Sequence, residues 1–292
     1  MKTRLKQAVQ TAATTLVGKT WVEKLKFYRA HRCLPNLNEP KTFNEKIVWR
    51  KLNDRDPLMQ QYVDKCLAKQ IVRELVGPQV IIPTLEVYDR VDDVSLDWPL
   101  PFVVKCTHAS ATNIFVQQEE DKRTAIKRLR RFFRYNHARR TNEWAYQIKP
   151  RVIVEPMLLV NGRKPNDFKL QVFDGKVTAI QVDTDRYTPN HRRIYYTPQW
   201  EMMDLRLTIP RSDPIPKPEA LDEMIRIAEL IGKQFTYARV DLYEGPLFGE
   251  VTFYPGAGYE KFYPHHWDRF LRRSMDLAEK ELGRTAQQRH GF

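Results

Sequence analysis

Cysteine is scarce in this 292-residue chain: Cys33, Cys66 and Cys106 are three scattered singles, with no C-x-x-C pair. That excludes a disulfide framework and a cysteine zinc site, and it fits a reducing cytosol. No apolar run approaches the ~18–20 residues that a spanning helix needs. Internal repeats and low-complexity tracts are missing, which sets aside solenoids and disordered tails. Acidic residues are outnumbered, 36 against 49 Lys and Arg, for a formal net charge of +13. Such a field draws polyanions: nucleic acid, an anionic membrane face, an acidic glycan or nucleotides. What the chain does have is apolar mass. Hydrophobic residues make up 42%, with 14 Phe, 13 Tyr and 6 Trp, enough to fill a core of one large or two ordinary domains.

Met1–Lys6 is basic, but Gln7–Gly18 is too rich in Gln and Thr for a signal-peptide core. This predicts an exposed N-terminal helix, with a peripheral membrane contact as the alternative. Trp21–Arg32 is basic, aromatic and helical in pattern. Thr42-Phe43-Asn44-Glu45 has the form of a capping box opening a helix to about Leu52. Leu58–Val76 reads as one helix with a Leu67, Ile71, Leu75 stripe, ending at Gly77-Pro78. Val80–Tyr88 reads as a strand holding an edge Pro83. Phe102–Gln117 reads as a hairpin, with Lys105 closing its first strand beneath the small-residue loop His108-Ala109-Ser110-Ala111-Thr112-Asn113. Backbone N–H groups in such a loop suit a phosphate, although by composition it is only a loop.

Asp121–Asn136 is a basic helix whose stripe of Ile126, Leu129 and Phe133 predicts a solvated amphipathic face. A polyanion-binding face is the alternative. Nucleic acid is disfavoured, because the helix has no series of aromatics for base stacking. Arg151–Glu155 is β-branched and ends in Glu155-Pro156. Lys169–Phe173 and Lys176–Asp183 form a hairpin about Asp174-Gly175, with Asp167, Lys169 and Gln171 on one face. Arg186, Arg192 and Arg193 lie in a polar segment after it. Glu219–Gln234 and Pro264–Leu282 complete the helices.

The stretch Tyr237–Tyr259, YARVDLYEGPLFGEVTFYPGAGY, carries the densest chemistry. It predicts strands Tyr237–Tyr243 and Leu247–Phe253 about Gly245-Pro246. Alternation puts Arg239 and Asp241 on one face, and Glu250 and Thr252 on one face of the next strand. With an even loop, Asp241 faces Glu250 and Arg239 faces Thr252. Two facing carboxylates repel unless a cation lies between them, and Mg²⁺ takes oxygen ligands and phosphate partners. An ordinary hairpin with solvated acids remains open. The turn Pro255-Gly256-Ala257-Gly258 follows, with N–H groups suited to an anion.

The order of these segments resembles the ATP-grasp ligases, and in detail the TupA-like ATP-grasp family of polysaccharide biosynthesis. The carrying segments are FYRAHRCLPNLNEPKTFNEKI, VDKCLAKQIV, PFVVKCTHAS, RVIVEPML, NDFKLQVFDGKV, YYTPQW and ARVDLYEGPLFGEVTFYPGAGYEKF, from about Lys24 to Trp267. The resemblance implies an α+β ATP-grasp fold: two α+β lobes clasping ATP after a helical N-terminal region. The expected divisions are 1–90 for that region and the start of the core, 91–155 for the small lobe, and 156–292 for the large lobe. It further implies roles. Lys65 and Lys105 contact the α- and β-phosphates of ATP, with His108 and Ser110 in the loop beside them. Glu155 begins the adenine hinge with the main chain of Pro156, Met157 and Leu158. Asp167, opening the strand with Lys169, takes the ribose. Asp241 and Glu250 bind Mg²⁺. Thr252 stands where many relatives carry an Asn metal ligand. Arg239 and the Gly256 N–H bind the acyl-phosphate and tetrahedral intermediates. One departure is plain: the loop usually reads close to H-G-S-G and here reads His108-Ala109-Ser110-Ala111.

The implied activity is ATP-dependent carboxylate–amine ligation through an acyl phosphate, in the cytoplasm or at the inner face of the membrane. The expected partners are an acidic glycan or its precursor, carrying the uronate, and an amino acid or peptide as amine. Arg186, Arg192 and Arg193 are candidates to hold the acceptor carboxylate or the γ-phosphate. Two rival readings are a glycan-binding protein on a catalytically weakened scaffold and a glycosyltransferase. Asp183-Thr184-Asp185 has the D-x-D form of the latter.

Overall fold

A computed structural model describes residues 18–160 and 162–281, with side chains as far as Met275. The N-terminal expectation for residues 1–17 lies outside the described residues. The chain forms two compact units. One comprises residues 18–22 and Lys51–Arg163; the other comprises Glu23–Arg50 and the chain from Lys164. The boundaries therefore differ from those expected at 90 and 155. A stretch near the N-terminus, Glu23–Arg50, belongs with the C-terminal half.

Residues 18–31 are helical (α1). The capping box forms as written: Thr42 Oγ1 accepts from the Glu45 N–H at 3.2 Å, and Glu45 Oε2 accepts from the Thr42 N–H at 3.0 Å. It opens α2, Phe43–Asn53. The single helix expected over Leu58–Val76 is two, α3 (Pro57–Val63) and α4 (Lys65–Val76). The break is at Asp64, which takes an extended ψ of 111° and accepts from the Cys66 and Leu67 N–H groups. A short acid that competes for backbone N–H groups caps a helix better than it continues one.

The first unit holds a four-stranded antiparallel sheet in the order β1-β4-β2-β3: β1 Glu86–Tyr88, β2 Phe102–Cys106, β3 Ile114–Val116 and β4 Val152–Pro156. The strand expected from Val80 begins only at Glu86. Pro83 has no N–H to donate, which prevents a continuous ladder before it. The face bearing Phe102, Val104, Cys106, Ile114, Val116, Val152 and Val154 is buried under Ala125 and Leu129 of α5 (Glu119–Phe133). A short helix α6 (His137–Thr141) follows.

The second unit holds a five-stranded antiparallel sheet in the order β7-β6-β5-β8-β9. Its strands are β5 Asp167–Phe173, β6 Lys176–Thr184, β7 Arg192–Tyr196, β8 Tyr237–Tyr243 and β9 Leu247–Thr252. The expected hairpin turns at Asp174-Gly175, both at positive φ (46° and 72°). One sheet face presents Phe168, Leu170, Val172, Ile180, Val182, Val240 and Leu242, all buried. On it packs α7, Leu221–Gly232, through Met224, Ile227, Ala228 and Ile231. Met224, Ile227 and Ile231 each contribute about 1.5–3 kcal/mol by leaving water. The last helix, α8, spans His266–Glu281. The architecture is α+β, as expected.

Candidate active site

In the first unit, chemistry gathers on the face of β2 and β4 opposite α5. Glu155 and Lys105 alternate onto it beside Val103 and Ile153. The Glu155 carboxylate accepts from Lys105 Nζ and from Lys69 Nζ, each at 2.5 Å. Burial alone would raise Glu155, but the charges and hydrogen bonds of Lys105 and Lys69 outweigh it and hold the carboxyl below its ordinary value. Burial pushes the Lys69 ammonium down against the pull of Glu155. Lys69 also donates to Thr84 Oγ1 at 2.8 Å. Helix α4 is fixed at its start because Arg151 grips both oxygens of Asp64, at 2.9 and 2.8 Å. Lys65, the first residue of that helix, donates to the Ala109 carbonyl at 3.2 Å. In the small-residue loop, Ala111 is left-handed at φ 56°. An alanine there is strained by about 1–2 kcal/mol. It is the last position of His108-Ala109-Ser110-Ala111, where the family pattern carries glycine.

In the second unit, the sheet face away from α7 is polar across its width. One row runs Arg193, Asp183, Asp167, Tyr243; the next runs Tyr195, Gln181, Lys169, Asp241, Glu250; a third runs Ala179, Gln171, Arg239, Thr252. Lys169, 2% exposed, lies 3.0 Å from Asp183 and 3.6 Å from Asp167. Arg193 donates twice to Asp183, at 2.6 and 3.2 Å, and Arg186 donates to Asp167 at 2.8 Å. Arg239 forks onto both oxygens of Asp241 at 2.7 Å and reaches Thr252 Oγ1 at 3.2 Å. Burial would raise Asp183, but Lys169 and Arg193 hold it well below the carboxylate range. Burial lifts Asp241 against the opposing charges of Arg239 and Lys169. Arg239 and Arg186 are held more firmly charged than usual: the acids beside them, Asp241 and Asp167, outweigh the cost of burial.

The pairing of Arg239 with Thr252 and of Asp241 with Glu250 forms, although the connection from Tyr243 to Leu247 is odd, with three residues. A bulge accounts for it. Gly249 is the extra residue between Phe248 and Glu250, and it resets the face. A Cβ at Gly249 would lie 3.0 Å from the Asp241 carbonyl. The following turn takes three successive left-handed residues, Gly256, Ala257 and Gly258, at φ 55°, 56° and 79°. A Cβ on Gly256 would stand 2.2 Å from Glu260 Cγ.

The structure distributes the expected residues unequally. Lys105, Asp167, Lys169, Asp241, Glu250 and Arg239 sit on the two polar sheet faces, and Lys65 reaches the Ala109 carbonyl from the start of α4. Glu155 is the anchor of two lysines. His108 is packed inward: its Nε2 lies 3.2 Å from the Tyr135 carbonyl, and burial lowers its pKa. Ser110 is half-buried in the loop, and Pro156, Met157 and Leu158 are half-buried beyond β4. The Met157 N–H donates to the Pro101 carbonyl at 3.0 Å. Arg186 and Arg193 are already bound to acids, and Arg192 alternates away from Arg193 and is exposed. Sequence reasoning missed Lys69 and Asp183. The signal for Lys69 was its place one helical turn after Lys65.

The two facing acids fit a Mg²⁺ ion that arrives with phosphates, since such an ion needs only one or two carboxylates. Each Asp241 oxygen takes one hydrogen bond from Arg239 and keeps a lone pair for a cation. A self-sufficient metal site is a different matter. Among the described residues no group of three or more His, Cys, Asp or Glu is placed to hold an ion.

Residues 45–275 match the family model described as TupA-like ATPgrasp. No curated protein matches the chain. Among solved structures it is similar to D-alanine–D-alanine ligase from Bacillus anthracis complexed with ATP, at 17% identity over 75% of this chain and 68% of that one, TM-score 0.42. It is also similar to the ATP-grasp ligase PsnB complexed with a phosphomimetic variant of its minimal precursor, Mg and ADP. There the identity is 13% over 82% of this chain and 65% of that one, TM-score 0.43.

Proposed function

The chain belongs to the TupA-like ATP-grasp family and is a ligase forming carbon–nitrogen bonds; from that premise we propose that it uses ATP and Mg²⁺ to join a glycan uronate to the amine of an amino acid or peptide. A carboxylate oxygen attacks the γ-phosphorus and ADP leaves. The amine then attacks the acyl carbon, phosphate departs with its bridging oxygen, and the nitrogen loses a proton. Positioning and charge neutralisation supply most of the catalysis in such a transfer, so no covalent residue is needed.

The observation that carries this reading is the register of β8 on β9, which sets Asp241 against Glu250 with Arg239 two pairs further along on the same face. Asp241 and Glu250 would hold Mg²⁺, whose charge would offset that of the phosphates. Lys65, Lys69 and Lys105 are the phosphate cations, Asp167 the ribose acid, and the main chain of Pro156–Leu158 the adenine edge. Ser110 belongs to the phosphate loop. Arg239 and the Gly256 N–H would face the oxyanions. Of the three acceptor arginines, Arg186 and Arg193 suit a carboxylate, because their guanidinium groups are held on the polar face. The net charge of +13 is compatible with an acidic glycan, as with other polyanions.

The test is phosphate release from ATP across a panel of uronic glycans and amino acids. Release that needs both partners supports the reading; release indifferent to either contradicts it. The strained Ala111 favours one rival, a glycan binder with weakened catalysis, which would bind the glycan without turnover. The glycosyltransferase reading loses ground because Asp183, first residue of its D-x-D, is committed to Lys169 and Arg193.

A further inference from the structure

Helix α1 has two apolar faces. Val22 and Phe27 are buried. Trp21, Leu25 and Tyr28 recur at i, i+4 and i+7, so they form a second stripe along one side. These three are 55%, 51% and 46% exposed, and Leu34 just beyond the helix is 58% exposed. Single exposed apolar residues are ordinary on protein surfaces, but a run of them on one helix face marks a contact surface.

The charge around the stripe identifies the partner. Lys19, Arg29 and Arg32 are exposed and Lys24 is half-exposed. The one acid between Gly18 and Leu34, Glu23, is fully buried, where it accepts from Lys26 at 2.9 Å and from the Tyr259 hydroxyl. The outer surface of α1 is thus apolar, aromatic and cationic, with no exposed carboxylate. Trp and Tyr favour the headgroup level of a bilayer, and Lys and Arg beside them favour anionic lipid. Among the described residues no helix is long and apolar enough to cross a membrane. The chemistry is that of an element lying on a surface.

We propose that the Trp21, Leu25, Tyr28 face of α1, with Arg29 and Arg32, docks the protein onto an anionic lipid bilayer. A protein partner or a second copy of the chain would satisfy the apolar stripe but gives no reason for its uniformly cationic border. The inference does not rest on the ligase reading.

The test is sedimentation of the full-length protein, without ATP, with two kinds of vesicle. One is phosphatidylcholine alone; the other carries about one-third phosphatidylglycerol. Binding should be at least about tenfold tighter to the anionic vesicles, each basic residue contributing on the order of fivefold, and should weaken with salt. The Trp21 fluorescence should shift to the blue on binding. The double variant Leu25→Ser, Tyr28→Ser should bind those vesicles about tenfold more weakly or worse while keeping its melting temperature. Arg29→Gln with Arg32→Gln should lose the preference for anionic lipid. Equal binding to both vesicles overturns the proposal. So does wild-type vesicle binding by the Leu25/Tyr28 variant, and so does a change in its oligomeric state with vesicle binding unaltered. Acceptor-dependent phosphate release, measured without lipid, is unaffected by any of these outcomes.

Discussion

Replacing Glu155 with Gln removes one negative charge from between two ammonium groups. Lys69 and Lys105 each donate to it at 2.5 Å, and their side chains are 9% and 13% exposed. Removing one partner of a buried ion pair costs about 3–5 kcal/mol, because the other charge is left without compensation. Gln keeps an acceptor oxygen, and Lys105 retains some water, so about 3 kcal/mol is expected. The assay is amide hydrogen exchange of β2 and β4 at pH 7. Protection there should fall roughly hundredfold, since each tenfold is about 1.4 kcal/mol. The pH dependence should also change. In the native protein Glu155 sits below its ordinary value of 4.5, so its contribution is present above that pH and is lost as pH falls through the folded value. In the variant that acid limb disappears. Lys69, already pushed below its ordinary 10.5 by burial, should fall further without its counter-ion, so the unfolded chain binds more protons than the folded one. Stability should therefore rise as pH climbs from 7 towards 10. A variant with native protection at pH 7, or one that loses protection as pH rises, would refute the ionised Glu155 clamp.

Ala111→Gly should stabilise the first unit by about 0.5–1 kcal/mol, the left-handed strain relieved less the entropy of glycine, as read by thermal unfolding; a loss of stability would show that φ 56° is not strained there. Gly256→Ala should destabilise by about 2 kcal/mol or more and lower turnover, because its Cβ would enter Glu260 at 2.2 Å from a left-handed backbone. Unchanged melting would contradict that packing. Thiol titration of the native protein at pH 8 should find one fast cysteine. Burial pushes Cys66 to about 11 and Cys106 to about 12, whereas Cys33 is exposed. Two or more fast thiols would mean that the first unit opens readily.

The elements with strong local signals were legible in the sequence. The Thr42–Glu45 box, the Asp174-Gly175 hairpin and α7 all depend on residues close in the chain. The β2–β3 hairpin followed from alternation, and the α+β class from the family resemblance. Asp64 shows how the reading went astray: the same acid that marks a possible helix residue is a cap once its side chain takes two backbone N–H groups. The site was harder, because register decides which side chains share a face, and bulges reset register. In an unbulged hairpin Asp167 would pair with Val182, and Asp183 would point to the apolar side. The extra residue Thr178 turns Asp183 onto the polar face, where it anchors Lys169 and Arg193. Gly249 does the same for Glu250, so the facing acids arise from an odd loop and a bulge together. Lys69 was hidden for another reason. A lysine on an amphipathic helix reads as surface until a long-range partner such as Glu155 appears.

The central claim is that a substrate carboxylate attacks ATP to form an acyl phosphate. It is tested most directly by supplying the uronic acceptor with its carboxylate oxygens labelled with heavy oxygen, together with amine, ATP and Mg²⁺, and measuring the mass of the phosphate released. The account predicts one labelled oxygen in each phosphate, because the bridging oxygen leaves with phosphorus when the amine forms the amide. Phosphate that forms in step with amide but carries no label would contradict it.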